Sequence, residues 1–304
     1  YVRGHRQDFQ EWVDAGADGW SYDDVLPHFK AIERYQNGAD AWRGGNGPIS
    51  VEKLTDNHPI EDAFIEAGQQ AGYAAPTDYN GEAQEGMSAF DANIDSGWRS
   101  ATARECIRPA MKRPNVTVLT RAHVMRVEIE NGVAKGVRYR HKGQDHIAYA
   151  NKETVLSAGA FQTPQLLMLS GIGPADHLRE HGIEVAADLH GVGENLQDHL
   201  ECHLKFRCPH KGMTKNHLMA QHRILLAGIR WYLFKSGPAA TTHSRVGAFF
   251  KSNAAATHPD IQFHFWPYFL EGWSPPPNKD GYCFDVGPTK SKSRGYVRLR
   301  SSDP

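Results

Sequence analysis

The chain is poor in cysteine. Among 304 residues there are four, Cys106, Cys202, Cys208 and Cys283, with no C-x-x-C pair and no disulfide-like spacing. That sets aside a disulfide-stapled scaffold and fits a reduced, intracellular setting. Long apolar runs are lacking too. The best, Ile224 to Phe234, is broken by Arg230 and is too short to span a membrane. There is almost no net charge: 34 Lys and Arg stand against 35 Asp and Glu, scattered along the chain, so nucleic acid is not an expected partner. No G-x-S-x-G elbow, no phosphate-binding P-loop and no G-x-G-x-x-G after a first strand is present. Nucleophilic hydrolysis and P-loop chemistry therefore find no support. No repeat, low-complexity tract or signal peptide is visible, and the first residue is not Met. An internal fragment is the expectation.

What is present centres on residues 154 to 173, TVLSAGAFQTPQLLMLSGIG. Thr154-Val155-Leu156 reads as a short buried strand. Ser157-Ala158-Gly159-Ala160 forms a turn with little side-chain bulk. Thr163 and Pro164 suit an N-cap and a first helical position, and Gly171 suits a helix stop. Strand, small-residue turn and helix N-terminus make a place where backbone can approach a phosphate or a flat ring. On spacing alone, an ordinary strand-to-helix turn weighs as much.

Upstream, the pattern predicts helices over 22–35, 59–71 and 100–111 and a strand at 49–51. Ser21 or Asp23 would cap the first helix, with Pro27 in its first turn. Ser100 would cap the third. Residues 74–99, rich in Gly, Asp, Asn and Ser, read as a long loop. A strand is expected at Asn115–Thr120. Val124–Ile129 and Val133–Tyr139 alternate around Asn131-Gly132, a strong hairpin signal. Downstream, Pro174–His181 reads as a helix. Thr214–Phe234 reads as mostly helical, with Leu218, Leu225, Ile229 and Leu233 spaced for a core. Strands are expected from His199 to Phe206 and at 246–250, 261–266, 282–286 and 296–299. Residues 199–304 thus predict a mostly antiparallel sheet crossed by one long helix.

The order Gly159-Ala160-x-x-Thr163-Pro164-x-Leu166-Leu167-x-x-Ser170-Gly171-Ile172-Gly173, then Gly191-Val192-Gly193-Glu194-Asn195-Leu196-Gln197-Asp198-His199, resembles two successive blocks of the glucose–methanol–choline (GMC) flavoprotein oxidoreductases. Tyr1-x-Arg3-Gly4 at the start, and Ser293-Arg294-Gly295-Tyr296-Val297 with Ser302-Asp303-Pro304 at the end, extend the resemblance over essentially the whole chain. It implies α/β plus α+β architecture: a split FAD-binding α/β domain, incomplete here, and a substrate domain on an antiparallel β-sheet with flanking helices. Residues 1–20 and 100–198 would belong to the first. Residues 21–99, with 74–99 as a loop near the substrate entrance, and 199–304 would belong to the second.

The same resemblance implies the cofactor FAD, contacted by Val124, Ser157, Ala158, Gly159 and Ala160. It implies a substrate pocket carrying His199, Glu201 and His264, as in choline-oxidising members. The implied reaction is oxidation of choline or a related primary alcohol to the aldehyde, with oxygen or a quinone taking the electrons. No catalytic residue is expected within the chain. The base histidine would lie beyond residue 304 and the dinucleotide motif before residue 1, so the chain alone is expected to be inactive. Two other readings stay open: a neutral aliphatic or aromatic alcohol as substrate, or a lyase on the same scaffold; and a binding protein that kept the fold without flavin. A cytoplasmic location is expected, with peripheral membrane association and self-association both open. From the residues alone, His199-x-Glu201-x-His203 offers three metal-ligand types on one strand face. No second cluster with ligand spacing accompanies it, and no metal is expected. Val124 alone reads as core valine, and His264 as a satisfied buried histidine.

Overall fold

A computed structural model describes residues 1–54 and 57–304. The chain divides into two compact units, residues 1–116 with 199–290, and residues 117–198 with 291–304. Residues 1–20 and 100–116 pack into the larger unit, and 291–304 into the smaller.

The larger unit is built on a five-stranded antiparallel sheet in the order Cys202–Arg207, Gly281–Pro288, Ile261–Trp266, Val246–Phe250, Gly86–Ala89. Strand alternation gives it two unlike faces. Leu204, Phe206, Tyr282, Phe284, Phe263, Phe265, Val246 and Ala248 share one face by register. Helix Pro59–Gln70 covers it, with Phe64 stacked on Phe265 at 4.8 Å and tilted on Phe284 at 5.4 Å. His203, Lys205, Cys283, Asp285, Gln262, His264 and Trp266 share the other. Gly247 lies opposite His264 on that second face. A Cβ there would sit 2.3 Å from the Phe90 ring and from the Phe263 carbonyl oxygen, so only glycine lets Phe90 lie across the sheet.

A buried ion cluster ties the N-terminal segment to this unit. Arg43 is 0% exposed and meets Glu33 at 3.1 Å, Asp78 at 2.8 Å and Asp91 at 2.9 Å. Arg3 pairs with the same Glu33 at 2.7 Å. The Arg43 guanidinium also stacks 3.7 Å from the Tyr35 ring centroid. Burying these charges is tolerable because each has opposite partners. The Arg3–Glu33 pair and the packing of Phe9 on Tyr22 and Val25 both tie residues 1–20 to the larger unit.

Several expectations are corrected here. Residues 74–99 are not a structureless loop. Gly86–Ala89 forms the sheet's edge strand, Asp91–Ala92 pairs with Ile49–Lys53, and Ile94–Asp95 pairs with Trp98–Arg99. The first helix ends at Ile32, and Glu33–Tyr35 continues as a strand beside Ile49–Val51. Ser21 caps that helix in a capping box with Asp24, so Pro27 falls in its second turn. Over 100–111 a π-helical turn, Ala103–Ile107, runs into a short helix, Arg108–Ala110. Pro109 offers no N–H for an ordinary α-helical bond there. Ser100 does not cap it; its Oγ accepts from the Ser50 N–H at 2.9 Å. Helix Gln221–Phe234 follows a 3-10 turn, Lys215–Met219, but Leu225, Ile229 and Leu233 are exposed rather than in a core. Its anchor is Trp231, whose Nε1 donates to the Gly97 carbonyl at 2.7 Å and whose ring meets Trp98 at 4.6 Å.

The smaller unit is a three-stranded meander, Ala122–Glu130, Val133–His141 and Gln144–Tyr149, followed by helix Gly159–Leu169. Both hairpin turns use paired positive φ, at Asn131 (52°) with Gly132 (75°) and at Lys142 (52°) with Gly143 (78°). That geometry matches the strand twist. Ser170 ties helix to meander: its Oγ accepts from the Val127 N–H at 2.8 Å and donates to the Leu166 carbonyl. Met168, Leu178 and Leu299 form the core. The strands expected at 115–120, 154–156 and 296–299 are absent among the described residues. Extended apolar backbone becomes a strand only when a neighbour completes its ladder. Gly295 makes one bridge to Leu196, and Val155 is 75% exposed.

Candidate functional site

The second face of the five-stranded sheet carries polar side chains and does not pack like the first. Gln262, His264 and Trp266 alternate with Phe263 and Phe265, which go into the aromatic layer. The polar set is thereby pushed to one side. His264 then forms part of the wall of a cavity of about 720 Å³, with Phe90, Asp91, Asn93, Arg99 and His243. That is within the ~300–1,000 Å³ typical of small-molecule pockets. Its ring tilts against Phe90 at 5.5 Å. A smaller cavity of about 290 Å³ has His199 in its wall and shares Val2 and Gln262 with the first.

Burial lowers the His264 pKa below the ordinary histidine value, and Glu201, then Asp285, pull it back up. The Glu201 charge thus acts on His264, although the segments that carry them are not neighbours. Gly281–Pro288 lies between them and contributes Asp285. Glu201 itself is exposed, just before strand Cys202–Arg207. His203, two residues on, hydrogen-bonds Asp285 through Nδ1, and the Trp273 ring meets it edge-on at 4.9 Å. Trp266 packs against His243 at 4.6 Å and Tyr268 at 5.5 Å. Cys283, fully buried beside Asp285, has its thiol pushed up to about 12 by burial, which leaves it unreactive.

In the smaller unit the structure brings Val124 and Ala158 together. Both line a cavity of about 260 Å³ with Gln162, Gln165 and Leu166. Val124 sits at a register shift of its strand, the kind of irregularity that re-aims a side chain. The helix after the turn begins at Gly159, four residues before the expected Thr163. Thr163 is not the N-cap; its Oγ1 accepts from the Ala158 N–H at 3.1 Å, inside the first turns. Gly159 has φ +87°, a left-handed conformation, and Ser157, Ala158, Gly159 and Ala160 are all exposed. The first turn carries no acid that would repel a phosphate. This donor set fits part of FAD: a cavity for one ring system and a bare helix start. It is too small for a whole dinucleotide.

Asp285, His243, Arg99 and Asn93 were not singled out from sequence. For Asp285 the signal was there: one acid inside an alternating apolar strand, Tyr282, Phe284, Val286. Asn93 and His243 lie outside the strands and Arg99 sits in a two-residue strand, and none of them leaves a local pattern. Among the described residues, no group of His, Cys, Asp and Glu is arranged to hold a metal ion. Among them, also, no helix is long and apolar enough to cross a membrane.

Comparison with known proteins decides the family. Residues 1–201, about two thirds of the chain, match the GMC oxidoreductase family. The chain belongs to the GMC oxidoreductases. It is 44% identical to an oxygen-dependent choline dehydrogenase of Brucella ovis over 307 aligned positions, covering all of this chain and 55% of that protein. A Photobacterium profundum protein of the same name is also 44% identical, with 54% of it covered. The chain thus spans about half the length of the curated relatives it matches. Among solved structures, pyridoxine 4-oxidase from Mesorbium loti superposes with a TM-score of 0.84 at 30% identity, over all of this chain and 56% of that one. A formate oxidase from Aspergillus oryzae, solved to follow the effect of a mutation on FAD modification, superposes at 0.88 with 24% identity over 59% of its chain, which speaks for the fold alone.

Proposed function

We propose that the protein oxidises choline or a closely related cationic primary alcohol to the aldehyde, with FAD as cofactor. The observation that carries this reading is His264 in the wall of the larger cavity, within reach of the charge of Glu201, which is itself exposed and lines neither cavity. A quaternary ammonium group has no N–H donor, so only charge and aromatic faces can hold it. Glu201 supplies the charge. His264 orients the hydroxyl end by hydrogen bonding. Phe90 and the sheet exclude water from one side. FAD, when bound, supplies the sink for the hydride. Val124 and the Ser157–Ala160 turn would hold one end of it, and His199 would complete the pocket. The domain roles follow: the meander and helix Gly159–Leu169 serve the cofactor, the five-stranded sheet serves the substrate. The names of the choline dehydrogenase relatives favour oxygen over a quinone as acceptor, and a cytoplasmic location suits the chemistry.

Glu201→Gln, in the protein at its full natural length with FAD, tests the pocket. It keeps shape and removes charge. Choline binding should weaken at least about tenfold, roughly 1.4 kcal/mol, while a neutral alcohol of similar size changes much less. Equal losses for both would make Glu201 a structural residue, and no loss for either would remove it from the pocket. A neutral alcohol is the second reading, favoured by the superposition on pyridoxine 4-oxidase.

A further inference from the structure

Strand Gly281–Pro288 is apolar at alternate positions and carries a single acid, Asp285. Its register sets Asp285 opposite His203 on one neighbour and opposite His264 on the other. Residues paired across strands project from the same face with Cβ atoms about 5 Å apart. The three side chains therefore form a row, His203, Asp285, His264, across three strands. Asp285 is 4% exposed and does not line the cavity that His264 faces. Its carboxylate is pinned by His203 Nδ1, and Trp273 backs the His203 ring. A carboxylate this deep stays ionised only while a donor holds it. The other charged or titratable groups that face His264 are Glu201 and His243, with Asp91 and Arg99 elsewhere in the cavity wall.

We propose that Asp285, held by His203, is a positioning residue for His264: it fixes a charge beside that ring and so, together with Glu201, tunes when the substrate face of the sheet becomes cationic. The proposal rests on the cationic-alcohol reading for its consequence, not for its geometry. A protonated His264 repels a cationic alcohol and leaves a neutral one unaffected. An ionised Asp285 favours the proton on His264, so it brings the acid-side loss of choline binding to higher pH. Removing the Asp285 charge lets His264 stay neutral further into acid.

The direct test is histidine NMR on the protein at its full natural length with FAD, the His264 resonance being assigned by its loss in His264→Gln. In Asp285→Asn the His264 titration should move to lower pH. His203→Phe removes the donor that holds the Asp285 carboxylate beside the ring, and the His264 titration should move the same way. His203→Gln keeps a donor and should leave the titration as in the unmodified protein. If Asp285→Asn fails to fold, His203→Phe carries the test. An unmoved His264 titration in the folded variants overturns the proposal. A second readout is the rise in KM for choline on acidification from about pH 8 to about pH 5.5, set beside 3,3-dimethylbutan-1-ol, its neutral isostere. Asp285→Asn should shrink the choline rise at least about threefold and leave the isostere unchanged. Equal effects on both alcohols contradict the proposal. If the unmodified protein oxidises neither alcohol, the substrate reading fails, while the His264 titration still judges Asp285.

Discussion

Replacing Arg43 by Met tests what holds the cavity wall in place. Met keeps the stem of the side chain and removes the guanidinium. Arg43 is fully buried and is the cation shared by Glu33, Asp78 and Asp91, with Asp91 itself in the wall of the larger cavity. After the change Glu33 keeps Arg3, whereas Asp91 loses its cation inside the unit. Breaking a buried pair in this way costs about 3–5 kcal/mol. The lost stack on Tyr35 adds about 1–2 kcal/mol. Against a total stability of about 5–15 kcal/mol this is a large fraction. Urea unfolding, followed separately by aromatic circular dichroism and by hydrogen exchange in the larger unit, measures it. The double variant Arg43→Met with Asp91→Asn should recover at least about 1 kcal/mol, because the stranded charge is gone. A loss below about 1 kcal/mol for Arg43→Met, or no recovery in the double variant, would refute the argument.

Other outcomes follow from the same geometry. Gly159→Ala places a Cβ on a residue at φ +87°, costing about 1–2 kcal/mol locally. Flavin should then leave the protein more readily on dilution, and unchanged retention would remove the turn from the cofactor site. His5 and His264 both have pKa values lowered by burial from 6.5. Their folded forms prefer to stay neutral, while the unfolded chain takes up protons below about pH 6.5, so stability falls as pH drops below that value. The melting temperature should decline from about pH 7 to about pH 5.5, and His264→Gln should flatten the decline; a flat profile in the unmodified protein would contradict the burial argument.

The sequence made the local elements legible where turn chemistry and alternation agreed. Asn131-Gly132 and Lys142-Gly143 announce the meander, and 246–250, 261–266 and 282–286 announce three strands of the sheet. It misplaced elements whose state depends on partners. Val155 and Leu119 have strand-like neighbours in sequence but no ladder among the described residues, and Leu225 and Leu233 have helical spacing without a core beneath them. The helix start at Gly159 was hidden because Thr163 and Pro164 are good start residues, and here Thr163 caps from inside the helix. The pocket role proposed for Glu201 and His264 came from family resemblance. Asp285, which joins His203 to His264, required the strand register.

The central claim is tested most directly by one anaerobic spectrum. The protein at its full natural length should purify with an oxidised-flavin absorption band, and adding choline in the absence of oxygen should bleach it, with admission of oxygen restoring the colour. Persistence of the band with choline and with neutral primary alcohols alike would contradict the proposed alcohol oxidation.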